Sequence, residues 1–173
     1  MKMPMLLAAF CAAVPATVLA DMMVGTEFSG FQEVPSVSTS ASGRVRLRVS
    51  QANDFISYRL QYSGLQGQVQ QAHIHFAQGA VNGPIVIWLC GTPAIPGPDG
   101  TPTCPQSGIV TGNITAANVL AAPATQQLGA GALKKIIDAM LNGAAYANVH
   151  TSISPGGEMR GQLGPRDDDC CVQ

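Results

Sequence analysis

Hydrophobic and polar residues alternate along several short stretches of the chain. In GRVRLRVS, which begins at Gly43, every second residue is an arginine and the residues between are valine or leucine. This period of two predicts a strand with one side in solvent and one side buried. The stretches DFISYRLQYSGL and AHIHF alternate similarly, and GPIVIWLCG is apolar on both sides, like an inner strand. Short strands separated by Gly, Pro, Ser and Asn predict a mainly β protein, an antiparallel β-sandwich or a barrel-like fold.

One stretch has the period of a helix instead. Its apolar residues recur at helical spacing, and they are Leu133, Ile136, Ile137, Met140 and Leu141. Gly143 follows, and glycine favours the left-handed backbone that ends many helices. We therefore expect one helix near residues 130–142. After it, AYANVHTS and EMRGQLG predict a closing hairpin around ISPGG, because Pro and Gly favour turns.

The first twenty residues have the composition of a secretory signal peptide. Lys2 precedes an apolar run that ends in small residues just before Asp21. The alternative is an uncleaved membrane anchor, but Pro15 interrupts the run, which is shorter than the ~20 apolar residues of a spanning helix. We expect residues 1–20 to be cleaved, no membrane span to remain, and the chain to be exported to the periplasm or the extracellular space.

Size and charge limit the organisation and the partners of the chain. A chain of 173 residues is long enough for one domain with a hydrophobic core. Only 11% of the residues are charged and the formal net charge is -1. Nucleic-acid binding through phosphates requires a basic surface, so no nucleic-acid partner is expected. The sequence identifies no protein partner.

Export makes disulfides the expected state of the cysteines. Cys90 and Cys104 flank a loop rich in Gly and Pro. A bridge between them would stabilise the fold by about 3 kcal/mol by restricting the unfolded chain. Cys170 and Cys171 are adjacent near the C-terminus, and an intermolecular bridge, a vicinal bridge and a tail without a role all remain open for them.

The chain has only three histidines, and each lies in a predicted strand. His73 and His75 are two residues apart, so they project from one face with Cα atoms about 6.6 Å apart. His150 shares a face with Tyr146 and Asn148, opposite the small apolar residues of its strand. If the two strands are neighbours, the three imidazoles predict a site for one copper or zinc ion, completed by water or a fourth protein ligand. The alternative is that these histidines only hydrogen-bond to neighbouring loops.

Three charged residues are candidates for supporting roles. Glu158 and Arg160, in GGEMRGQ, are expected to form an ion pair that anchors the last strand. The alternative for both is a position next to the metal ligands, where they would orient a histidine or bind an anion. Glu33, in QEVP, is a weaker candidate for a ligand or for such a supporting group.

Three segments in order carry a resemblance to a known family. They are FSGFQEVPSVSTSASG, AHIHFAQGAVNGPIVIWL and NGAAYANVHTSISPGGEMRGQL. Together they resemble the landmark segments of the CHRD domain, the module named after chordin, and the likeness extends over about residues 24–164. The resemblance implies an antiparallel β-sandwich or barrel-like fold in an extracytoplasmic setting. The loop between Cys90 and Cys104 is similar to a variable loop of the family, and the acidic tail of residues 165–173 lies outside the pattern.

Two functions of different classes follow from these residues. The first is an exported binding or structural module that holds copper or zinc through His73, His75 and His150. The second is a copper-only redox enzyme, because the arrangement is similar in outline to copper/zinc superoxide dismutases. Those enzymes carry further histidines and an aspartate for a bridged second metal, and this chain has no fourth histidine. We therefore expect a module rather than an enzyme.

Overall fold

The computed structural model of the protein describes residues 21–166. The predicted signal peptide lies outside these residues, as do Cys170 and Cys171. Within the described residues, no helix is long and apolar enough to cross a membrane.

Within residues 21–166, nine strands form two antiparallel sheets, as the alternating pattern predicts. Their bounds are β1 Met22–Phe28, β2 Ser42–Val49, β3 Ile56–Ser63, β4 Val69–Phe76, β5 Ile85–Cys90, β6 Gly108–Ile114, β7 Ala145–Thr151, β8 Met159–Gln162 and β9 Gly164–Pro165. One sheet has the order β6-β3-β2-β1-β9, and the other has the order β5-β4-β7-β8. The prediction of a mainly β sandwich is confirmed.

The alternation in β2 shows how the core forms. Val45, Leu47 and Val49 are fully buried between the sheets, and the arginines between them point outward. Two of these arginines form ion pairs on the outer side: Arg46 with Glu27 at 2.9 Å and Arg48 with Asp21 at 2.6 Å. The second sheet contributes the apolar sides of its strands to the same core. The period of two in the sequence therefore corresponds to one buried side and one solvent-exposed side of β2.

The single α-helix among the described residues is α1, Leu133–Leu141. Its apolar stripe is buried, with Leu141 half-buried, while Lys134, Lys135 and Asp138 face solvent. Gly143 has a φ of 65°, the left-handed conformation that ends a helix and that glycine adopts without strain. The helix prediction is confirmed.

Two further predictions about the chain's connections are confirmed. Cys90, at the end of β5, forms a disulfide with Cys104. The bridge closes the Gly- and Pro-rich loop beside a backbone pairing of Gly91 with Thr103. Strands β7 and β8 form the closing hairpin, in which Asn148 pairs with Arg160.

Candidate metal centre

Strand order brings the three histidines together. Strand β4 lies between β5 and β7, and the β4–β7 register places His73 opposite Asn148 and His75 opposite Tyr146. His150 lies opposite Gln71 in the same pair of strands. The strands that carry the histidines are therefore neighbours, and all three imidazoles project from the side of the sheet that faces away from the core.

Loops cover this side of the sheet, so the histidines are buried although they point away from the core. Their exposed fractions are 0% for His73, 6% for His75 and 5% for His150. The carbonyl of Gly83, in the β4–β5 loop, lies 2.9 Å from His75 Nδ1, and the carbonyl of Pro155, in the β7–β8 turn, lies 2.9 Å from His150 Nδ1. An imidazole nitrogen facing a carbonyl oxygen carries the proton, so these contacts leave Nε2 of both rings with its lone pair.

The three rings converge on one small volume. One nitrogen from each ring lies within 4.8 Å of the others, and His73 Nδ1 is 3.2 Å from His150 Nε2. Two nitrogens bound to one tetrahedral zinc ion at ~2.05 Å are about 3.3 Å apart. His75 Nε2 and His73 Nε2 are buried without a hydrogen-bond partner. Buried polar atoms rarely lack partners, so the unpartnered Nε2 of His75 fits a metal ligand.

Burial keeps the three rings neutral. It lowers the pKa of His73 to about 2, aided by the nearby His150 and His75 rings. It also lowers the pKa of His75 to about 4, although the Gly83 carbonyl acts in the opposite direction. The pKa of His150 is lowered by burial as well, against the effect of the Pro155 carbonyl. Metals bind the neutral form of imidazole, so the site needs no deprotonation at neutral pH.

The metal-free protein should lose stability when the pH falls from 6.5 to 5. The unfolded chain protonates its histidines near pH 6.5, whereas His73 and His75 stay neutral in the folded chain, so these two rings lower the free energy of unfolding by about 3 kcal/mol over this interval. The lowered pKa of His150 adds to this loss. Glu33 acts oppositely, because burial raises its pKa to about 7 despite Arg160 and Asn148. Glu33 restores about 2 kcal/mol of stability over the same interval, so these three groups leave a net loss of about 1 to 2 kcal/mol, which His150 increases. Denaturant unfolding at pH 6.5 and at pH 5 measures this loss of stability. The H75Q variant should lose less stability than the parent over the same interval. An unfolding free energy that does not change between the two pH values would contradict the expectation.

Arg160 and Glu158 do not form the predicted ion pair, and this expectation was wrong. Arg160 is 2% exposed, and its guanidinium lies 3.9 Å from the centre of the Tyr146 ring. It donates hydrogen bonds to Asn82 Oδ1 at 3.2 Å and to the Val81 carbonyl at 3.3 Å. Arg160 therefore connects β8 to the β4–β5 loop, which carries the carbonyl that orients His75.

Glu158 connects other segments. Its carboxylate accepts hydrogen bonds from Thr39 Oγ1 at 2.7 Å, Gln66 N at 2.8 Å, Thr151 Oγ1 at 2.8 Å and Gly67 N at 3.4 Å. Burial raises the pKa of this carboxyl, but the four hydrogen bonds together outweigh burial and lower the pKa. Glu158 is not part of the histidine cluster, and it anchors the chain after His150 to two loops.

Glu33 lies beside the histidine cluster and not within it. The residue is 5% exposed and follows a short 3₁₀ turn at Gly30–Gln32. The Asn148 carboxamide faces its carboxyl and lowers its pKa as a hydrogen-bond donor, although Glu33 Oε1 itself meets no donor in good geometry. Glu33 thus contacts the histidine cluster only through Asn148.

Three residues of the site were not assigned from the sequence. Asn148 Oδ1 lies 2.9 Å from His150 Nε2, the Trp88 ring centre lies 4.2 Å from that of His73, and the Tyr146 ring stacks on His75 at 4.6 Å. Asn148 and Tyr146 share the alternating face of His150, and this alternation was the available signal. No local signal marks Trp88, whose place depends on the pairing of β4 with β5.

Comparison with known proteins supports the resemblance seen in the sequence. The family model of the CHRD domain matches residues 24–163, which is most of the chain. Neither the curated proteins nor the solved structures include a significant match, so the predicted outline of a copper/zinc superoxide dismutase stays a prediction. The family match, the two antiparallel sheets and the order of the histidine segments agree, and the chain belongs to the CHRD domain family.

Proposed function

We propose that this protein is an exported binding or structural module that holds one copper or zinc ion through His73, His75 and His150. The main support for this proposal is the convergence of three buried, neutral imidazoles. In two of them a backbone carbonyl faces Nδ1, which leaves Nε2 available to bind a metal ion. Imidazole nitrogen suits both metals, and such carbonyl contacts are the usual support of a metal-binding histidine.

The proposal places the module outside the cytoplasm. The Cys90–Cys104 disulfide fits an oxidising compartment, and the family is of an extracellular type. In the proposed mature protein, residues 1–20 have been removed as a signal peptide, residues 24–164 form the CHRD domain and residues 165–173 form an acidic tail. The compartment is the periplasm or the extracellular space.

Binding of an ion would tie together parts of the fold that are distant in sequence. His73 and His75 belong to β4, and His150 belongs to β7. Through Gly83 and Pro155, the same rings contact the two loops that cover the sheet. Anything that binds only the folded state stabilises it, so the ion would hold these loops on the sheet for recognition of a partner, adhesion or metal storage. Neither the family match nor the site geometry favours the copper-only redox enzyme.

Metal analysis of the exported protein tests this proposal. Elemental analysis should find copper or zinc, and metal-free protein should take up one ion per chain at micromolar concentration. Trp88 is the chain's only tryptophan and its ring contacts that of His73, so copper(II) should quench its fluorescence. Zinc binding is measured by competition with a coloured chelator. Binding of neither metal at micromolar concentration would refute the metal site and leave the histidines as groups that hold loops.

A further inference from the structure

Asn148 occupies a central position in the row of side chains that contains the proposed site. In the sheet it lies between His73 on β4 and Arg160 on β8, and it is 1% exposed. Its Oδ1 is 2.9 Å from His150 Nε2, and that nitrogen lies 3.2 Å from His73 Nδ1. The carboxamide oxygen therefore lies among the nitrogens that converge.

The contact between Asn148 and His150 lacks a proton when the ring is neutral. The single N–H of neutral His150 is at Nδ1, where it faces the Pro155 carbonyl. Nε2 and Asn148 Oδ1 then present lone pairs to each other at 2.9 Å. Two ligand atoms of one ion bound at ~2.1 Å lie about 2.9 to 3.4 Å apart. A cation shared by both atoms turns this repulsive contact into a favourable one.

The surroundings of Asn148 fix which end of its carboxamide faces the histidines. Nδ2 is directed towards the Glu33 carboxyl, so Oδ1 points to the imidazoles. Gly157 allows this packing, because a Cβ there would lie against the Glu33 carboxyl and 2.8 Å from Asn148 Nδ2. Gly157 also has a φ of 128°, which glycine adopts without strain.

We propose that Asn148 Oδ1 is the fourth protein ligand of the copper or zinc ion and that Glu33 and Gly157 hold the carboxamide in the coordinating orientation. The inference rests on the proposed function, and it makes the site a closed set of three nitrogens and one oxygen. A site with four protein ligands is typical of structural metal centres, whereas catalytic ones keep a position for water or substrate. The inference thus assigns the ion a structural role.

Two variants of Asn148 separate a ligand from a merely structural residue. N148D keeps an oxygen in the same place, whereas N148L keeps similar volume and has no donor atom. T151V is the matched control, because Thr151 is buried in the same strand and its hydroxyl bonds Glu158, away from the ligand nitrogens. Each protein is loaded with copper(II), its affinity is measured by competition and its electron paramagnetic resonance spectrum is recorded.

N148L should bind copper about 10 to 100 times more weakly than the parent and give a different spectrum. N148D keeps an oxygen ligand but loses the donor to Glu33, so it should bind more tightly than N148L. T151V should keep both the affinity and the spectrum of the parent. Parent-like affinity and spectrum in N148L would overturn the inference while the three-histidine site stands. Absence of binding by the parent would overturn the proposed function and this inference together.

A measurement on the unsubstituted protein covers the case in which N148L does not fold. Zinc should shift the side-chain amide resonance of Asn148 in nuclear magnetic resonance spectra. Asn142 serves as the internal reference, because its amide bonds the Asp138 carbonyl at the end of the helix. Zinc that shifts the histidine resonances and leaves the Asn148 amide unchanged would overturn the inference.

Discussion

Replacing Glu158 by alanine should lower the free energy of unfolding by about 3 to 4 kcal/mol, a large part of the stability of a small domain. Glu158 is 1% exposed, and its carboxylate accepts four hydrogen bonds from residues in three segments. Without it, the hydroxyl of Thr151 and the backbone N–H of Gln66 lose their partners in a buried place, where each loss is costly. Denaturant unfolding of parent and variant at pH 7 measures the difference.

Glu27 provides the matched control for this prediction. Its carboxylate also forms a charged contact, with Arg46, but its side chain is 59% exposed. Exposed ion pairs contribute little, so E27A should cost less than about 1 kcal/mol. The lowered pKa of Glu158 means that its contribution is present above the unfolded carboxyl pKa and disappears as the pH falls further. Equal losses in E158A and E27A would show that the buried hydrogen bonds contribute no more than a surface pair.

The elements of the fold follow from short-range pattern and were predictable. Alternation in β2 and the helical spacing of α1 both report which side chains face the core, since each period is a property of the local backbone. The facing of His73, His75 and His150 came from the same alternation. Their shared surface depended on one further condition, that β4 and β7 are neighbours, which the structure meets.

The burial of the site was not predictable, because it depends on loops that return from elsewhere in the chain. The alternating pattern predicts that His73 points away from the core. It does not predict that the segments containing Gly83 and Pro155 cover that side of the sheet. The partners of Glu158 are similarly remote: Thr39 lies 119 residues away and Gln66 lies 92 residues away. Proximity in sequence favoured Arg160 as the partner of Glu158, but the fold places residues from distant segments around the Glu158 carboxylate instead.

Replacing any one of the three histidines by alanine should weaken metal binding more than about 100-fold, the largest effect expected for this protein. Each replacement removes a metal–nitrogen bond and also the fixed geometry that orients the other two rings. For His75 and His150 it also releases the loop carbonyl that the ring contacts. Copper titration followed through Trp88 fluorescence, with zinc measured by competition, gives the affinity of each variant.

Comparison with E158A separates a lost ligand from a loosened fold. E158A removes a group that holds the chain after His150 but touches none of the three rings, so it should unfold more easily and yet bind metal within about 10-fold of the parent. Each histidine variant should show the reverse, with weak binding even under conditions where circular dichroism shows a folded β protein. Because burial lowers the pKa of all three rings, the parent should release its ion at a lower pH than an exposed three-histidine site with a pKa near 6.5. Parent-like affinity in all three histidine variants would contradict the metal site, whatever the stability of E158A.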